Sequence, residues 1–460
     1  MYIHPGENRR RTWRRPLTFT SIIPLGSSDH RRLHDRLRER ETEWIDQLPS
    51  VPDLHSFRLV AVPPDARSEQ AALLMNTVHD RPIEPHLKDL LKVVGEGLRT
   101  ALEDVGIILT DHALYHTLIT RRSMEQTFHL GAINQGVQTI HRERHLRETL
   151  QRYADDRLAS GAWSLDTPPE TMWRQARDFV QGSADPALPK GPADTIGAEG
   201  RMRRFVSLLV TFAFPAMGVL AKDIAAAIKS ISHRPACRTA WIAYGLWWIY
   251  GAVPTALALV LVRLTEAVEF HSVAPDPDLE KVRRLEAKED LRLKNAVTLW
   301  FPVKNSLARR LLLRVILWGS ERGCRHFWTR GALADIDTIH YARIMQVDGG
   351  RTMLFMSDYD GSLNRYLDDF IGVGSRAVIP ISSNAAGCPE TRWLFKPADP
   401  KTFGPRWRSL IRTYQLEIAV WFSAYPNVTV SDMIKNHKIR EGLFAEHADR
   451  ETARKWLRLL

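Results

Sequence analysis

Two stretches of alternating and continuous apolar residues, "LHSFRLVAV" (Leu54 to Val62) and "IHYARIMQV" (Ile339 to Val347), read as strands and resemble each other. Each is followed by a second apolar run, "ALLMNTV" and "TMLFMSDY", and each of these passes into a segment with helical spacing, "EPHLKDLLKVV" and "NRYLDDFIGVG". Farther on, "FHLGAINQGVQTIHRERHLRETL" (Phe128 to Leu150) lies over "WFSAYPNVTVSDMIKNHKIREGL" (Trp421 to Leu443) without a gap. The match ends in the pairs Arg147 with Arg440 and Glu148 with Glu441. The recurrence predicts an internal duplication whose halves superpose. The first copy opens with "LTFTSIIPL" and the helix "DHRRLHDRLRERETEWIDQL", in which Leu33, Leu37 and Trp44 recur at helical spacing.

Within each copy the predicted order is strand, helix, strand, strand, helix, strand, then a terminal helix. That order belongs to the ferredoxin-like split βαβ unit, an antiparallel sheet with helices on one face, which leaves the other face for a partner. A second copy in the same chain supplies one. The expected fold class is therefore α+β, with ferredoxin-like repeats over 16–155 and 325–450.

The pattern between the repeats is different. Residues 156–200 include "GSADPALPKGPADTIGAEG", which has no hydrophobic period and predicts a flexible linker. Phe205 to Ala221 is 17 residues without a charge and Thr239 to Val262 is 24. The second is long enough to cross a bilayer core of about 30 Å; the first, at about 1.5 Å per residue, is marginal. The stretch Thr298 to Gly319 interleaves Trp300, Leu311, Ile316 and Trp318 with Arg309, Arg310 and Arg314, the composition of a helix lying among lipid headgroups. A membrane-associated helical region over 201–320 follows as an expectation, containing a hydrophobic hairpin with both repeats on the cytoplasmic side.

Net charge is +11, and the basic residues cluster at Arg9 to Arg15, at Arg201, Arg203 and Arg204, and at Arg309, Arg310 and Arg314. These clusters fit the flanks of the apolar stretches better than a base-stacking platform, whose aromatic interleaving the N-terminal one shows only at Trp13, so membrane lipid is the expected partner and nucleic acid is not. Cys237, Cys324 and Cys388 lie far apart, with neither metal-ligand nor redox-motif spacing, which fits a reducing compartment. The N-terminus carries no secretory signal pattern.

Several polar residues could carry chemistry. His340 and Arg343 repeat the spacing of His55 and Arg58. On a strand residues three apart point to opposite faces, so the two are not expected to line one pocket. Asp360 followed by Gly361 reads as a turn, with the carboxylate capping the helix that begins near Ser362. In the first copy Asp80 is followed by Arg81, so chemistry at that turn would belong to the second half. The pairs His112 with His116, and His141 with His145, share a helix face at i, i+4 but bring no third ligand. No phosphate-binding glycine loop, nucleophile elbow or zinc signature is present.

Duplicated units of this order resemble the dimeric α+β barrel superfamily, which includes the dye-decolorising peroxidases and chlorite dismutases. The texture is also similar to that of an uncharacterised bacterial group with the same duplicated unit. The resemblance covers roughly residues 16 to 155 and 325 to 450. It implies haem as cofactor with a histidine iron ligand, for which His437 in "VSDMIKNHKIREGLF" is the candidate, and catalytic roles for His340, Arg343 and Asp360. Against the peroxidase motif Gly-x-x-Asp-Gly the chain has "SDYDG", with Asp360 and Gly361 in place and Ser357 where the first glycine stands. The function expected is a membrane-associated, haem-dependent oxidoreductase acting on an apolar or lipid-like small molecule. The alternative is a non-catalytic, membrane-tethered module that binds lipid or protein.

Overall fold

The computed structural model describes residues 16–25, 29–64, 71–123, 127–132, 135–192, 276–326, 336–372, 374–392 and 395–460, together with Val260, Arg263, Leu264, Glu266 and Leu333. It is an α+β fold built on two four-stranded antiparallel sheets. The strands are β1 (Leu17–Pro24), β2 (Leu54–Val62), β3 (Ala72–His79), β4 (Thr127–Leu130), β5 (Lys294–Pro302), β6 (Ile339–Val347), β7 (Thr352–Asp360), the short β8 (Thr391–Arg392) and β9 (Lys396–Pro397), and β10 (Val420–Ser423). Helices α1 (His30–Glu39), α2 (Glu41–Gln47), α3 (Ile83–Glu103), α4 (Asp111–Thr120), α5 (Val137–Ala159) and α6 (Pro169–Gly182) belong to the first half. The second half carries α7 (Leu279–Glu286), α8 (Leu307–His326), α9 (Leu363–Ile371), α10 (Ser375–Ser382), α11 (Pro400–Tyr414), α12 (Val430–Leu443) and α13 (Arg450–Leu457).

One sheet has the order β1-β3-β2-β10 and the other β5-β7-β6-β4. Strand β10, from the end of the chain, pairs with β2, setting Trp421 opposite Arg58. Strand β4, from the first half, pairs with β6, setting Phe128 opposite Arg343. Each half thus completes the sheet of the other. A strand buried on both faces reads as a nearly continuous apolar run. That is the case for β2 and β3, which are buried along their whole length.

The inner faces meet in a core that includes Val60, Val62 and Leu74 from one sheet and Met345, Leu354 and Met356 from the other. On the outer face of the first sheet Leu33, Leu37, Trp44 and Leu98 cover Phe57, Leu59 and Leu73. Leu313, Leu367, Phe370 and Trp407 cover the outer face of the second sheet at Val297, Leu299 and Ala342. Helices α5 and α12 pack together at one end, where Leu146 and Leu150 meet Ile439 and Leu443.

Several expectations need correction. The stretch from Thr298 to Gly319 is not one interfacial helix but the end of β5 and the start of α8. Val297, Leu299 and Phe301 alternate on one face as a strand requires, and Pro302 precedes a turn. The second unit accordingly begins near Lys294, inside the region assigned to the membrane. Residues 169–182, placed in a linker, form α6, whose Trp173, Ala176 and Val180 are buried against α12 and α13. Among the described residues no helix is long and apolar enough to cross a membrane. The membrane localisation, with its spanning hairpin and cytoplasmic repeats, is therefore withdrawn; stretches 205–221 and 239–262 lie outside the described residues except Val260.

Candidate functional site

The same contact closes the strand pair of each half. His55 Nε2, at the start of β2, donates to Asp80 Oδ1 just beyond β3 at 2.8 Å. His340 Nε2, on β6, donates to Asp360 Oδ1 at the end of β7 at 2.7 Å. The second carboxylate oxygen accepts a helix amide in both cases, from Val137 N at 2.9 Å for Asp80 and from Val430 N at 2.8 Å for Asp360. Val137 and Val430 are the first residues of α5 and α12, where unpaired N–H groups and the helix dipole favour a carboxylate.

Asp360 therefore does cap a helix, but not the one that follows it in sequence. Helix α9 is capped by the Ser362 hydroxyl, which accepts from Arg365 N at 3.3 Å. Gly361 takes φ +80°, and its N–H donates to Leu293 O at 2.9 Å, the positive-φ turn that the Asp-Gly pair predicts.

Between Leu54 and Ser56, and again between Ile339 and Tyr341, the strand register shifts. A shift of this kind breaks strict alternation and turns a side chain to the other face. In the first half both the histidine and the arginine consequently face the opposite sheet. His55 Nδ1 lies 3.0 Å from the Tyr341 hydroxyl of β6, while Arg58 pairs with Asp358 of β7. In the second half His340 stands 6.3 Å from the ring of Tyr341 and 6.2 Å from that of Tyr425. The Arg343 guanidinium lies 5.6 Å from the centre of the Phe128 ring and contributes to the field at Asp358. The alternation argument that separated His340 from Arg343 fails at this register shift.

Around the two His–Asp pairs lies a buried polar cluster. With Asp80 as acceptor at Nε2, His55 Nδ1 accepts from the Tyr425 hydroxyl at 2.7 Å, and the Tyr341 hydroxyl bonds that of Tyr425. Burial pushes both phenols up, so each remains a protonated donor. Burial, then Lys294, pushes His340 down against the opposing pull of Asp360, leaving it neutral with an acceptor at Nδ1. Lys294, the first residue of β5, is fully buried, with Nζ 4.1 Å from the centre of the Tyr425 ring. Burial lowers its pKa to about 8, although Asp358 and Asp360 both favour the charged form. Burial alone would raise Asp358, but Arg58, followed by Arg343 and Lys294, holds it below the usual carboxylate range.

His437 is not part of this cluster. It lies on α12 facing α5, with Nδ1 3.1 Å from Glu143 Oε1 and Nε2 3.6 Å from Glu441 Oε1. Burial would lower its pKa, but the hydrogen bond and charge of Glu143 raise it. With Glu143 at Nδ1 and Glu441 beyond Nε2, His437 faces charged side chains of α5 and α12 and does not line the apolar cavity described below, so these surroundings do not fit haem. Among the described residues no group of three or more His, Cys, Asp or Glu side chains is placed to hold a metal ion. Of the paired histidines, His145 Nε2 donates to Asp185 Oδ2 at 2.6 Å and His141 packs edge-on against Tyr425.

A second feature lies on the opposite face of the β5-β7-β6-β4 sheet. A partly open cavity of about 90 Å³ lies between Val297 and Leu299 of β5, Ala342 and Ile344 of β6, Phe370 of α9 and Trp407 of α11. His129 of β4 and Ser320 of α8 also reach its wall. The outer face of the other sheet is filled differently, for Trp44 sits so close to α3 that a Cβ on Gly97 would meet its ring at 2.7 Å. Sequence reasoning missed the cavity because the apolar residues that line it have the same pattern as residues that fill a core. It also missed Lys294, which in "RLKNAV" reads as a solvated charge, and the role of Asp80, although each copy shows a histidine followed by an aspartate past the next strand.

No protein-family model matches the chain, and neither a curated protein nor a solved structure matches it.

Proposed function

We propose that this chain is a binding protein for a small apolar molecule, held in the cavity between the second sheet and helices α8 to α11. The observation that carries this reading is the cavity itself, about 90 Å³ with mostly hydrocarbon walls. Apolar cavities lined by such side chains take up ligands the size of xenon or benzene. An empty void forfeits dispersion contacts on every wall, which a ligand restores. The haem-dependent oxidoreductase is set aside because His437, the candidate ligand, lies among charged side chains between α5 and α12 and away from the cavity.

The strand order supports a finer reading of the scaffold. The two halves are copies of a split βαβ unit that have exchanged their fourth strands, an arrangement in keeping with the resemblance to the dimeric α+β barrels. Exchange joins the halves through both sheets and leaves each outer face to its own helices. The second half is thereby free to keep a cavity where the first has a filled core.

The test is thermal denaturation and titration calorimetry with benzene, toluene and indole as probes. Ligand at ten times its Kd stabilises the folded state by about 1.4 kcal/mol, which raises Tm by a measurable amount. Ala342→Leu, which fills the void from β6, should remove both the heat and the Tm shift. Absence of binding by all three probes, or equal binding by the filled variant, would overturn the reading.

A further inference from the structure

The cavity walls in the second half carry aromatic rings where the matching positions of the first half are aliphatic. Pairing Leu17 with His79 and Asn295 with Tyr359 sets β1 and β3 over β5 and β7, and the correspondence runs without a gap into α3 and α9. On it Phe301 lies over Ile23, Phe355 over Met75 and Phe370 over Leu90. Ile23, Met75 and Leu90 belong to the filled core of the first half. Phe301, Phe355 and Phe370 all line the cavity, together with Tyr366 and Trp407. Each phenylalanine is larger than its counterpart, yet the second half keeps a cavity, so filling space is not what these rings accomplish.

The rings meet edge to face, with Phe370 at the hub. Its centre lies 4.6 Å from that of Tyr366 at 65°, 6.2 Å from Phe355 at 76° and 6.4 Å from Trp407 at 65°. Such tilts set the positive edge of one ring against the negative face of the next. We infer that the ligand of this cavity is a single uncharged aromatic ring rather than a saturated hydrocarbon. Naming this class rests on the reading of the cavity as a binding site. An arene entering beside Phe370 adds one more edge-to-face neighbour to the cluster, whereas a saturated ring has no such quadrupole and gains dispersion alone. No Asp, Glu, Lys or Arg is among the described residues of the wall, so a charged substituent would lose its hydration without a counter-charge.

Transfer from water favours the opposite order. Cyclohexane leaves water more readily than benzene, so burial by itself ranks the saturated ring first. A preference for benzene has to come from the ring cluster. Cyclopentane nearly matches benzene in volume and cyclohexane matches it in carbon number, so the two together separate ring chemistry from size.

Titration calorimetry of the full-length protein with benzene, cyclopentane and cyclohexane provides the test. Benzene should bind at least about threefold tighter than either saturated ring. Phe370→Leu, which installs the residue of the first half, should bring that ratio to about one or below. Phe355→Met should move it in the same direction, and serves if the Phe370 variant does not fold. Saturated rings that bind as tightly as benzene would overturn the aromatic class and leave the cavity a binding site. No heat from any of the three would overturn both. A benzene preference undiminished in both variants would show that these rings do not select the ligand.

Discussion

Arg58 of β2 and Asp358 of β7 form an ion pair across the gap between the two sheets, with both side chains fully buried. Both carboxylate oxygens and both terminal guanidinium nitrogens of the pair are hydrogen-bonded. Asp358 also accepts from Ser56 Oγ at 2.8 Å and Trp421 Nε1 at 3.2 Å, and Arg58 donates to Val297 O at 2.8 Å and Thr298 Oγ1 at 3.1 Å. Removing one member leaves a charge without its partner in an interior where charges are costly. Arg58→Met and Asp358→Leu should therefore each cost about 3–5 kcal/mol in urea denaturation, and the double variant should recover much of that loss. Additive losses would show that the two residues act independently.

Asp360 holds both His340 and the first amide of α12, so Asp360→Ala removes two bonds at once. At about 1.5–3 kcal/mol for each charge-assisted bond, the cost should be several kcal/mol. The informative measurement is hydrogen exchange. Protection of the Val430 amide should fall in Asp360→Ala and hold in Asp80→Ala, and the converse should hold for Val137.

Lys294 gives stability a pH dependence whose sign follows from burial. Its pKa is near 8 in the folded protein against an ordinary 10.5, a gap of roughly 3 kcal/mol. Below pH 8 the folded chain carries the buried charge and the penalty is present in full. As pH rises from 8 towards 10.5 the folded form loses the proton before the unfolded form does, so this group's penalty is relieved. Lys294→Met should therefore be stabilised relative to wild type most clearly near pH 7, with the difference shrinking towards pH 10. A constant difference across that range would contradict the burial argument.

His437 has the opposite sign. Glu143 raises its pKa in the folded state, so its contribution to stability is fully present below the ordinary imidazole value of about 6.5 and is lost as pH rises through the folded value. His437→Gln should destabilise the protein more at about pH 5.5 than at about pH 8.5 in matched denaturation curves. Equal losses at both would mean that the contact with Glu143 contributes nothing through charge.

Local pattern determined much of this protein. Apolar runs placed β2, β3, β6 and β7, and the ungapped match of 128–150 with 421–443 set out the corresponding β4–α5 and β10–α12 segments, because strand and helix patterns are properties of consecutive residues. The α+β class followed from the order of those elements, and His340 and Asp360 were singled out as chemistry-bearing side chains. What the sequence could not determine depended on residues far apart in the chain. Asp360 caps α12 rather than α9 because β7 ends beside a helix that begins 70 residues later. His55 faces Tyr341 because a register shift, invisible in alternation, turns it inward. Lys294 is buried because β5 pairs with β7 and sets it opposite Asp360, and His437 is held by Glu143 because α5 and α12 meet. Whether a lysine meets water or two phenol rings is decided by the strand that lies over it, and only the tertiary structure brings that strand into place.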